Sequence, residues 1–392
     1  MTIKKAVVIG GSNGIGLAVS RKLIDMGCAV KILGIHEPDR NVINESECEY
    51  VYCDLRYPDE EYLRSLANDE EINALFISSG IGRFSDFQYF HTAEIEKTFL
   101  IDTVSIIKII RMFYDRILAD DGTFYCGVMG SITGIITTPS GALYSAAKAG
   151  ICRFIESVNI ELEANGSQNR ILCVAPGFID GTKFYDESAA NDLTKTSPIA
   201  EEIIEHLKNH DTLYIPFYDE TYKNVIERYH KDPHEFGLSS YEYKKKTGRI
   251  RNESKIIIGY MSGTFDLFHI GHLNLIRRAK AQCDYLVVGV HASGARKGKE
   301  TFIPFDERKT MVASCKYVDK VIDAPAEDSD AWPMFHYKKL FVGSDYKGSE
   351  RFNRYEEIFR DTDVEIVYFP YTKNTSSTQI RKAISAIINE KS

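Results

Sequence analysis

Positive charge is in short supply in this 392-residue chain: 48 lysines and arginines face 56 aspartates and glutamates, for a formal net charge of −8. No basic field is present to attract nucleic acid or anionic lipid, so any anionic substrate must be gripped by local groups. Paired cysteines are also missing. Eight cysteines are scattered at 28, 48, 53, 126, 152, 173, 283 and 315, with no CxxC pair. That pattern excludes a disulfide frame or a cysteine zinc site and indicates reduced thiols of a cytosolic protein. No apolar stretch approaches the ~20 residues of a membrane span. The chain also enters a strand pattern at once, without the charged leader and apolar core of a signal peptide. The expectation is a cytoplasmic protein with no nucleic-acid and no membrane partner.

What is present is an ordinary globular composition, 44% apolar and 27% charged, in a chain long enough for two domains. Short apolar runs alternate with helical patterns over residues 1–185. Strands are expected at 6–9, 29–33, 50–53, 74–78, 122–128 and 170–175, and helices at 17–26, 95–119 and 142–165. Continuous apolar strands separated by helices indicate a parallel sheet covered on both faces. Residues 186–250 lose this rhythm and read as an atypical substrate or linker region: its aromatics and Lys/Arg residues could bind a sugar phosphate, while a helical linker or dimer contact is the favoured reading of 220–252. The alternation resumes from 255, with strands expected at 255–260, 285–290, 320–322, 339–342 and 365–368. The expected fold class is α/β: two Rossmann-like, doubly wound parallel-sheet domains in tandem, over 1–250 and 251–392. The halves share an architecture but no alignable repeat, which indicates a fusion and not a duplication.

Each half opens on a turn suited to phosphate. In the first, Gly10, Ser12, Asn13, Gly14, Ile15 and Gly16 follow the first strand and lead into a helix. Glycine lets the backbone turn tightly and lets a pyrophosphate approach the amides, where the helix N-terminus favours negative charge. Downstream, Tyr144 and Lys148 lie four residues apart, on one helical face, with Ser131 at the end of a strand. An ammonium near a phenol lowers its pKa, so the phenol can exchange a proton near neutrality. In the second half, Gly263–Thr264–Phe265 leads into His269 and His272, two imidazoles at the start of a helix. They can donate hydrogen bonds to a phosphate oxygen whose charge grows during substitution at phosphorus. A metal site would need further ligands at suitable spacing, and none follows.

The ordered set GGSNGIG, Asp54–Leu55, Ser78–Ser79–Gly80, Ser131, Tyr144–Lys148 and Pro176–Gly177 with Thr182 resembles the short-chain dehydrogenase/reductase family over about residues 1–185. The resemblance implies hydride transfer between a nicotinamide and a carbonyl/alcohol pair. Tyr144 would be the acid, Lys148 its tuner and Ser131 the carbonyl holder. The family usually places asparagine where Asp102 stands, to support a relay water, and its last strand is hard to find in this sequence. The end of the second strand carries Gly34 and His36, with no acidic residue until Glu37, so NADP(H) is expected, with NAD(H) the alternative.

The second set comprises GTFDLFHIGH, Arg308 before YVDKV, Gly343–Asp345–Tyr346 and Ser376–Ser377–Thr378 with Arg381. It resembles the cytidylyltransferases of the glycerol-3-phosphate, choline-phosphate and ethanolamine-phosphate group, and Lys297 and Lys299 lie in a loop placed to close over the nucleotide. The resemblance implies that CTP is bound with magnesium held mainly by phosphate oxygens and water. Joined, the halves suggest reduction of a ketose or aldose phosphate, then conversion of the alditol phosphate to a CDP-alditol for capsule or teichoic-acid-type polymers. Ribitol 5-phosphate is the first candidate, with arabinitol, mannitol and glycerol phosphates behind it. The alternative is a cytidylyltransferase for another phosphate with a non-catalytic nicotinamide-binding half. Both families imply a homodimer.

Overall fold

The computed structural model describes residues 2–119, 121–182, 184, 190–250, 252, 256–293 and 301–370. The chain divides into two compact units, Met1–Ser254 and Lys255–Ser392.

The first unit runs β1 (Lys5–Ile9), α1 (Gly14–Asp25), β2 (Ala29–Gly34), β3 (Glu49–Tyr52), α2 (Glu60–Ala67), β4 (Ala74–Ile77), α3 (Thr92–Phe99), α4 (Ser105–Leu118), β5 (Tyr125–Met129), α5 (Ala142–Ala164), β6 (Ile171–Val174), α6 (Leu193–Lys208), β7 (Leu213–Tyr214), α7 (Lys223–Lys231) and α8 (Pro233–Lys246). Its seven strands pair in the order β3-β2-β1-β4-β5-β6-β7, and every pairing is parallel. Alternate strand residues point to opposite faces, and here both are apolar. Val7 and Ile9 join the α4 and α5 side through Ile109, Phe113 and Ile151, whereas Ala6 and Val8 join the α1 and α6 side through Leu17, Leu23 and Ile203. The sheet is thus a buried layer, and its polar groups emerge at strand ends.

Strand β7 is the expected but elusive last strand. It spans two residues, too few for any periodicity, and pairs with β6 only from Cys173 onward. At Ile171 a side chain completes the ladder instead: buried Asn159 of α5 accepts from the Ile171 N–H and donates to its carbonyl, each at 2.8 Å. The helix expected over 95–119 is two helices joined by a π-helical turn, Leu100–Val104. The physical cause lies at Asp102, whose wholly buried carboxylate accepts from the Ile81 N–H at 2.9 Å and so is drawn toward the loop after β4.

The second unit runs β8 (Ile258–Gly263), α9 (Ile270–Lys280), β9 (Tyr285–Val290), α10 (Phe305–Ala313), β10 (Lys320–Asp323), α11 (Trp332–Phe335), β11 (Lys339–Gly343), α12 (Glu350–Ile358) and β12 (Glu365–Phe369). Five parallel strands lie in the order β10-β9-β8-β11-β12. Both sheets therefore belong to the expected α/β class. Strand order reverses between β1 and β4 in one and between β8 and β11 in the other, the crevices where such sheets receive ligands.

Replacing Asn159 by alanine leaves the Ile171 N–H and carbonyl buried without their partner. It should lower the stability of the first unit by roughly 2–3 kcal/mol. Urea unfolding of the whole chain, with the second unit's transition as internal reference, checks this.

Candidate active sites

The first crevice is built on close backbone approach. Gly10 has φ +83°, and a Cβ there would stand 2.5 Å from the Ser79 amide nitrogen; one on Gly16 would stand 2.2 Å from the Gly10 carbonyl oxygen. No side chain fits at either position, so the turn lies directly against the end of β4. Helix α1 has no acidic residue in its first turn. Its leading amide, Gly14 N–H, donates at 2.9 Å to the side-chain oxygen of Asn191. That carboxamide oxygen occupies the acceptor position at a helix N-terminus that a phosphate oxygen suits, so the turn fits a dinucleotide. Thr182 packs beside it, 3.3 Å from where a Gly14 Cβ would lie.

Around this turn several expected cofactor contacts are already committed. Ser12 donates its hydroxyl to the His36 carbonyl at 2.5 Å, tying the turn to the end of β2. The Asp54 carboxylate is forked onto Arg56, at 3.1 and 3.0 Å from Nε and 2.7 Å from Nη2. Ser12 and Asp54 therefore shape the rim with their side chains in place of presenting them openly. Glu37 pairs with Arg40 at 2.8 Å, beyond the end of β2.

At the reacting end, α5 carries Tyr144 and Lys148 on one face, with the ammonium 5.7 Å from the phenol ring centroid. Lys148 is almost wholly buried. Its Nζ donates to the Met129 carbonyl at 3.0 Å and lies 3.7 Å from Asp102 Oδ1. A side chain on Gly80 would meet both charged groups, 2.7 Å from Asp102 Oδ1 and 3.1 Å from Lys148 Nζ. Asp102 Oδ2 is buried with no hydrogen-bond partner among the described residues, an open acceptor at the inner end of a Tyr144–Lys148–Asp102 series. Burial pushes the Asp102 carboxyl up to about 6, against the lowering effects of Lys148 and the Ile81 amide.

Ser131 lies two residues past the end of β5 and caps the short turn Ile132–Gly134. Its oxygen accepts from Thr133 N at 3.2 Å and Thr133 Oγ1 at 2.9 Å. Its own hydroxyl has only a long 3.5 Å contact to the Pro176 carbonyl, so it remains able to turn toward a substrate oxygen. The Tyr144 ring is enclosed by Phe184 at 5.4 Å and Phe84 at 6.3 Å between centroids, and a side chain on Gly82 would strike the same ring at 2.9 Å. Phe84, Phe184, Thr133 and Asn191 are absent from the sequence reading. Asn191 is 177 residues from its partner Gly14, beyond any local pattern.

The second crevice rests on a strained turn. Phe265 and Leu267 both have φ +51°, a left-handed conformation that costs non-glycine residues ~1–3 kcal/mol. Two buried side chains hold it. Asp266 accepts from the Phe302 and Ile303 amides at 3.2 and 3.0 Å. Arg308 donates to the carbonyls of Thr264, His291, Ala292 and Ile303 at 2.5, 2.8, 2.9 and 2.9 Å. Arg308 was expected to contact nucleotide directly. Its guanidinium is instead buried among backbone carbonyls, so it positions the turn that carries the histidines.

His269 is the N-cap of α9: its Nδ1 accepts from the Gly271 N–H at 3.0 Å. Accepting at Nδ1 leaves the ring hydrogen on Nε2, where it can donate outward. Burial lowers the His269 pKa, which favours this neutral form. His272 stacks on it with centroids 4.1 Å apart, backed by Phe265 and Phe268. Across the switch point, Gly343 ends β11 and Asp345–Tyr346 form the next turn; a Cβ on Gly343 would lie 2.4 Å from Asp345 Oδ1. Asp319 of the YVDKV segment is structural, bonded to Lys280 Nζ and the Leu286 amide at 2.6 Å each. Lys297, Lys299, Ser376, Ser377, Thr378 and Arg381 lie outside the described residues. Among the described residues no three His, Cys, Asp or Glu side chains are grouped to hold a metal ion, and no helix is long and apolar enough to cross a membrane.

Comparison with known proteins agrees with this division. Residues 4–192 match the short chain dehydrogenase family and residues 260–383 the cytidylyltransferase-like family. Glycerol-3-phosphate cytidylyltransferase of Bacillus subtilis is 34% identical over 137 residues, 34% of this chain and 99% of that protein. A 3-oxoacyl-[acyl-carrier-protein] reductase of Chlamydia muridarum is 31% identical over 212 residues, 50% of this chain and 83% of that one. A short chain dehydrogenase/reductase from Burkholderia phymatum, solved in complex with NAD, superposes with a TM-score of 0.50 at 15% identity, over 59% of this chain and 95% of that one. This last likeness concerns the fold.

Asp102 generates a stability prediction. Its folded pKa of about 6 lies above the ordinary 3.8, so between those values the folded state holds a proton that the unfolded state has lost. Stability must fall as pH rises through that window. Asn at 102 does not titrate, so the stability of Asp102→Asn relative to wild type should climb by roughly 2–3 kcal/mol from pH 4 to pH 6.5 and then level off. Denaturant midpoints measured across that range decide it; a flat difference would overturn the assignment.

Proposed function

We propose that this chain, which belongs to the short-chain dehydrogenase family in its first unit and to the cytidylyltransferase-like family in its second, makes a CDP-alditol in two steps. A ketose or aldose phosphate is first reduced to an alditol phosphate, and the alditol phosphate is then cytidylylated from CTP with release of pyrophosphate. The observation that carries the reading is the pairing within one polypeptide. The Tyr144–Lys148–Asp102 series suits carbonyl reduction, and the His269–His272 pair suits transfer to a phosphate. The relative that matches the second unit is named for glycerol 3-phosphate, a phosphorylated polyol. A polyol phosphate is what reduction of a sugar phosphate yields, so the product of the first chemistry is a substrate for the second.

A bound nicotinamide supplies the hydride, and the Gly10–Gly16 turn at the start of α1 would hold its pyrophosphate. NADP(H) is favoured because Gly34 ends β2, His36 follows it and Glu37 is engaged by Arg40. Ser131 orients the carbonyl oxygen through its hydroxyl. Tyr144 passes its phenolic proton to that oxygen as the alcohol forms, and Lys148 stabilises the phenolate left behind. Asp102, ionised above about pH 6, holds the ammonium in register from within the core. In the second unit an oxygen of the substrate phosphate attacks the α-phosphorus of CTP and the bond to pyrophosphate breaks. The Nε2–H of His269, and His272 beside it, donate to the oxygens on which charge accumulates. Magnesium would accompany the triphosphate and neutralise part of its charge.

Incubation with NADPH, CTP, magnesium and a panel of three- to six-carbon ketose and aldose phosphates should yield a CDP-alditol mass. Tyr144→Phe should lower NADPH oxidation at least 100-fold while cytidylylation of added alditol phosphate persists, and His269→Ala should do the reverse. No NADPH oxidation by the wild type with any of these phosphates, with cytidylylation intact, would favour the alternative in which the first unit only binds nicotinamide.

A further inference from the structure

The segment past β7 supplies two cations to the mouth of the reductase site, and the mechanism above uses neither. Helix α8 ends near Lys244, whose Nζ donates to the Pro139 carbonyl at 2.9 Å and stands 5.3 Å from the Phe84 ring centroid. Phe84 is the ring set edge-on to Tyr144 at 6.3 Å, and Pro139 lies in the loop that leads into α5. After the helix, Gly248 takes φ +67° and turns the chain back, so that the Arg249 N–H donates to the Lys244 carbonyl at 3.0 Å. The Arg249 guanidinium then rests over Phe178, at 5.0 Å, and over Tyr243, at 5.3 Å. Phe178 directly follows Pro176–Gly177. Each cation is thus seated on an aromatic ring of a different loop bordering the Tyr144 pocket.

We propose that Lys244 and Arg249 form a phosphate-recognition subsite that holds the phosphate of the carbonyl substrate while its carbonyl lies at Tyr144 and Ser131. This rests on the reading that the first unit reduces a phosphorylated carbonyl compound.

Charge accounting supports the assignment. Neither side chain makes an ion pair with an acidic residue among the described residues. Asp86, two residues beyond Phe84, is engaged by the Tyr241 hydroxyl at 3.0 Å and by Asn252. Burial, and after it the neighbouring Arg249, push Lys244 down to about 8. Two like charges held together beside a half-buried ammonium raise the free energy of the empty site, and an arriving dianion relieves it. Lys244 uses one N–H on Pro139 and keeps two for phosphate oxygens. The guanidinium of Arg249 makes no side-chain hydrogen bond among the described residues, so its fork remains open to a second pair of oxygens. An uncharged acyl chain would leave both cations unanswered, so the subsite selects for a phosphorylated substrate over an apolar one.

The test compares a ketopentose 5-phosphate with the same ketopentose lacking phosphate, as substrates of the full chain with NADPH. Lys244→Met and Arg249→Met should each lower the preference for the phosphorylated ketose, as a ratio of kcat/KM, by 10- to 100-fold, mainly through KM. Lys244→Arg should recover most of it. Inorganic phosphate should compete with the phosphorylated ketose in the wild type and lose that competition in the variants. Arg249 is exposed and its replacement leaves packing intact, so it reads the proposal even if Lys244→Met unfolds. A wild type with strong preference that persists in Arg249→Met and Lys244→Met overturns the subsite alone. A wild type that reduces no phosphorylated ketose, triose or hexose overturns the functional reading first, and the subsite with it.

Discussion

A parallel sheet covered by helices on both faces has no free surface except the edge where its strands end. In this chain that constraint operates twice. Val7 and Ile9 bury one face of the first sheet while Ala6 and Val8 bury the other, and Met261 and Val288 face one cluster of the second sheet while Tyr260 and Val287 face another. Polar chemistry can only be mounted where adjacent strands run out and their connections diverge, at β1/β4 and at β8/β11. Every side chain to which a chemical role is assigned stands on a loop or helix that borders one of those two gaps, or is directed into it.

The two gaps are lined by different means. In the first, glycine does the work of approach: Gly10, Gly16 and Gly80 have no room for a Cβ, because an amide, a carbonyl and the Asp102–Lys148 pair occupy that space. In the second, non-glycine residues accept strain. Phe265 and Leu267 adopt left-handed backbone, and the loss is offset by Arg308 and Asp266, which fix the turn from beneath with seven hydrogen bonds to six backbone groups, all within 3.2 Å. A turn held this firmly keeps His269 in its capping geometry, which in turn decides that the ring hydrogen sits on Nε2.

How far the sequence revealed all this follows from the range over which each determinant acts. The glycine turn, the Tyr144–Lys148 spacing and the His269–His272 pair are local patterns, legible because neighbours in sequence are neighbours on a turn or helix face. The alternation of apolar runs located eleven of the twelve strands to within a few residues. Strand β7 escaped because two residues carry no period. The π turn at Asp102 escaped because its cause, the Ile81 amide, is 21 residues away. Arg308 was recognised as part of a motif, but sequence order cannot show that its guanidinium turns back onto four carbonyls. Over residues 220–252 composition left two readings open, a helical linker or dimer contact and a sugar-phosphate-binding segment, because sequence order does not show that Tyr241, Lys244 and Arg249 lie against loops of the reductase unit.

An acidic chain that handles anions must hold each of them by local means, and the structure offers a distinct device for each. A dinucleotide pyrophosphate meets backbone amides at the start of α1, where even the Asn191 carboxamide finds an acceptor's place. The second crevice offers imidazole donors, of which His269 is favoured in its neutral form by partial burial. Neither device places a permanent positive charge in the crevice, so neither needs a carboxylate to balance it when empty. Lys244 and Arg249 are the exception, cations without an acidic partner among the described residues in a chain with an excess of carboxylates. Among the described residues no carboxylate answers either cation, and that is the feature that suits this position to an anionic ligand such as the proposed substrate phosphate.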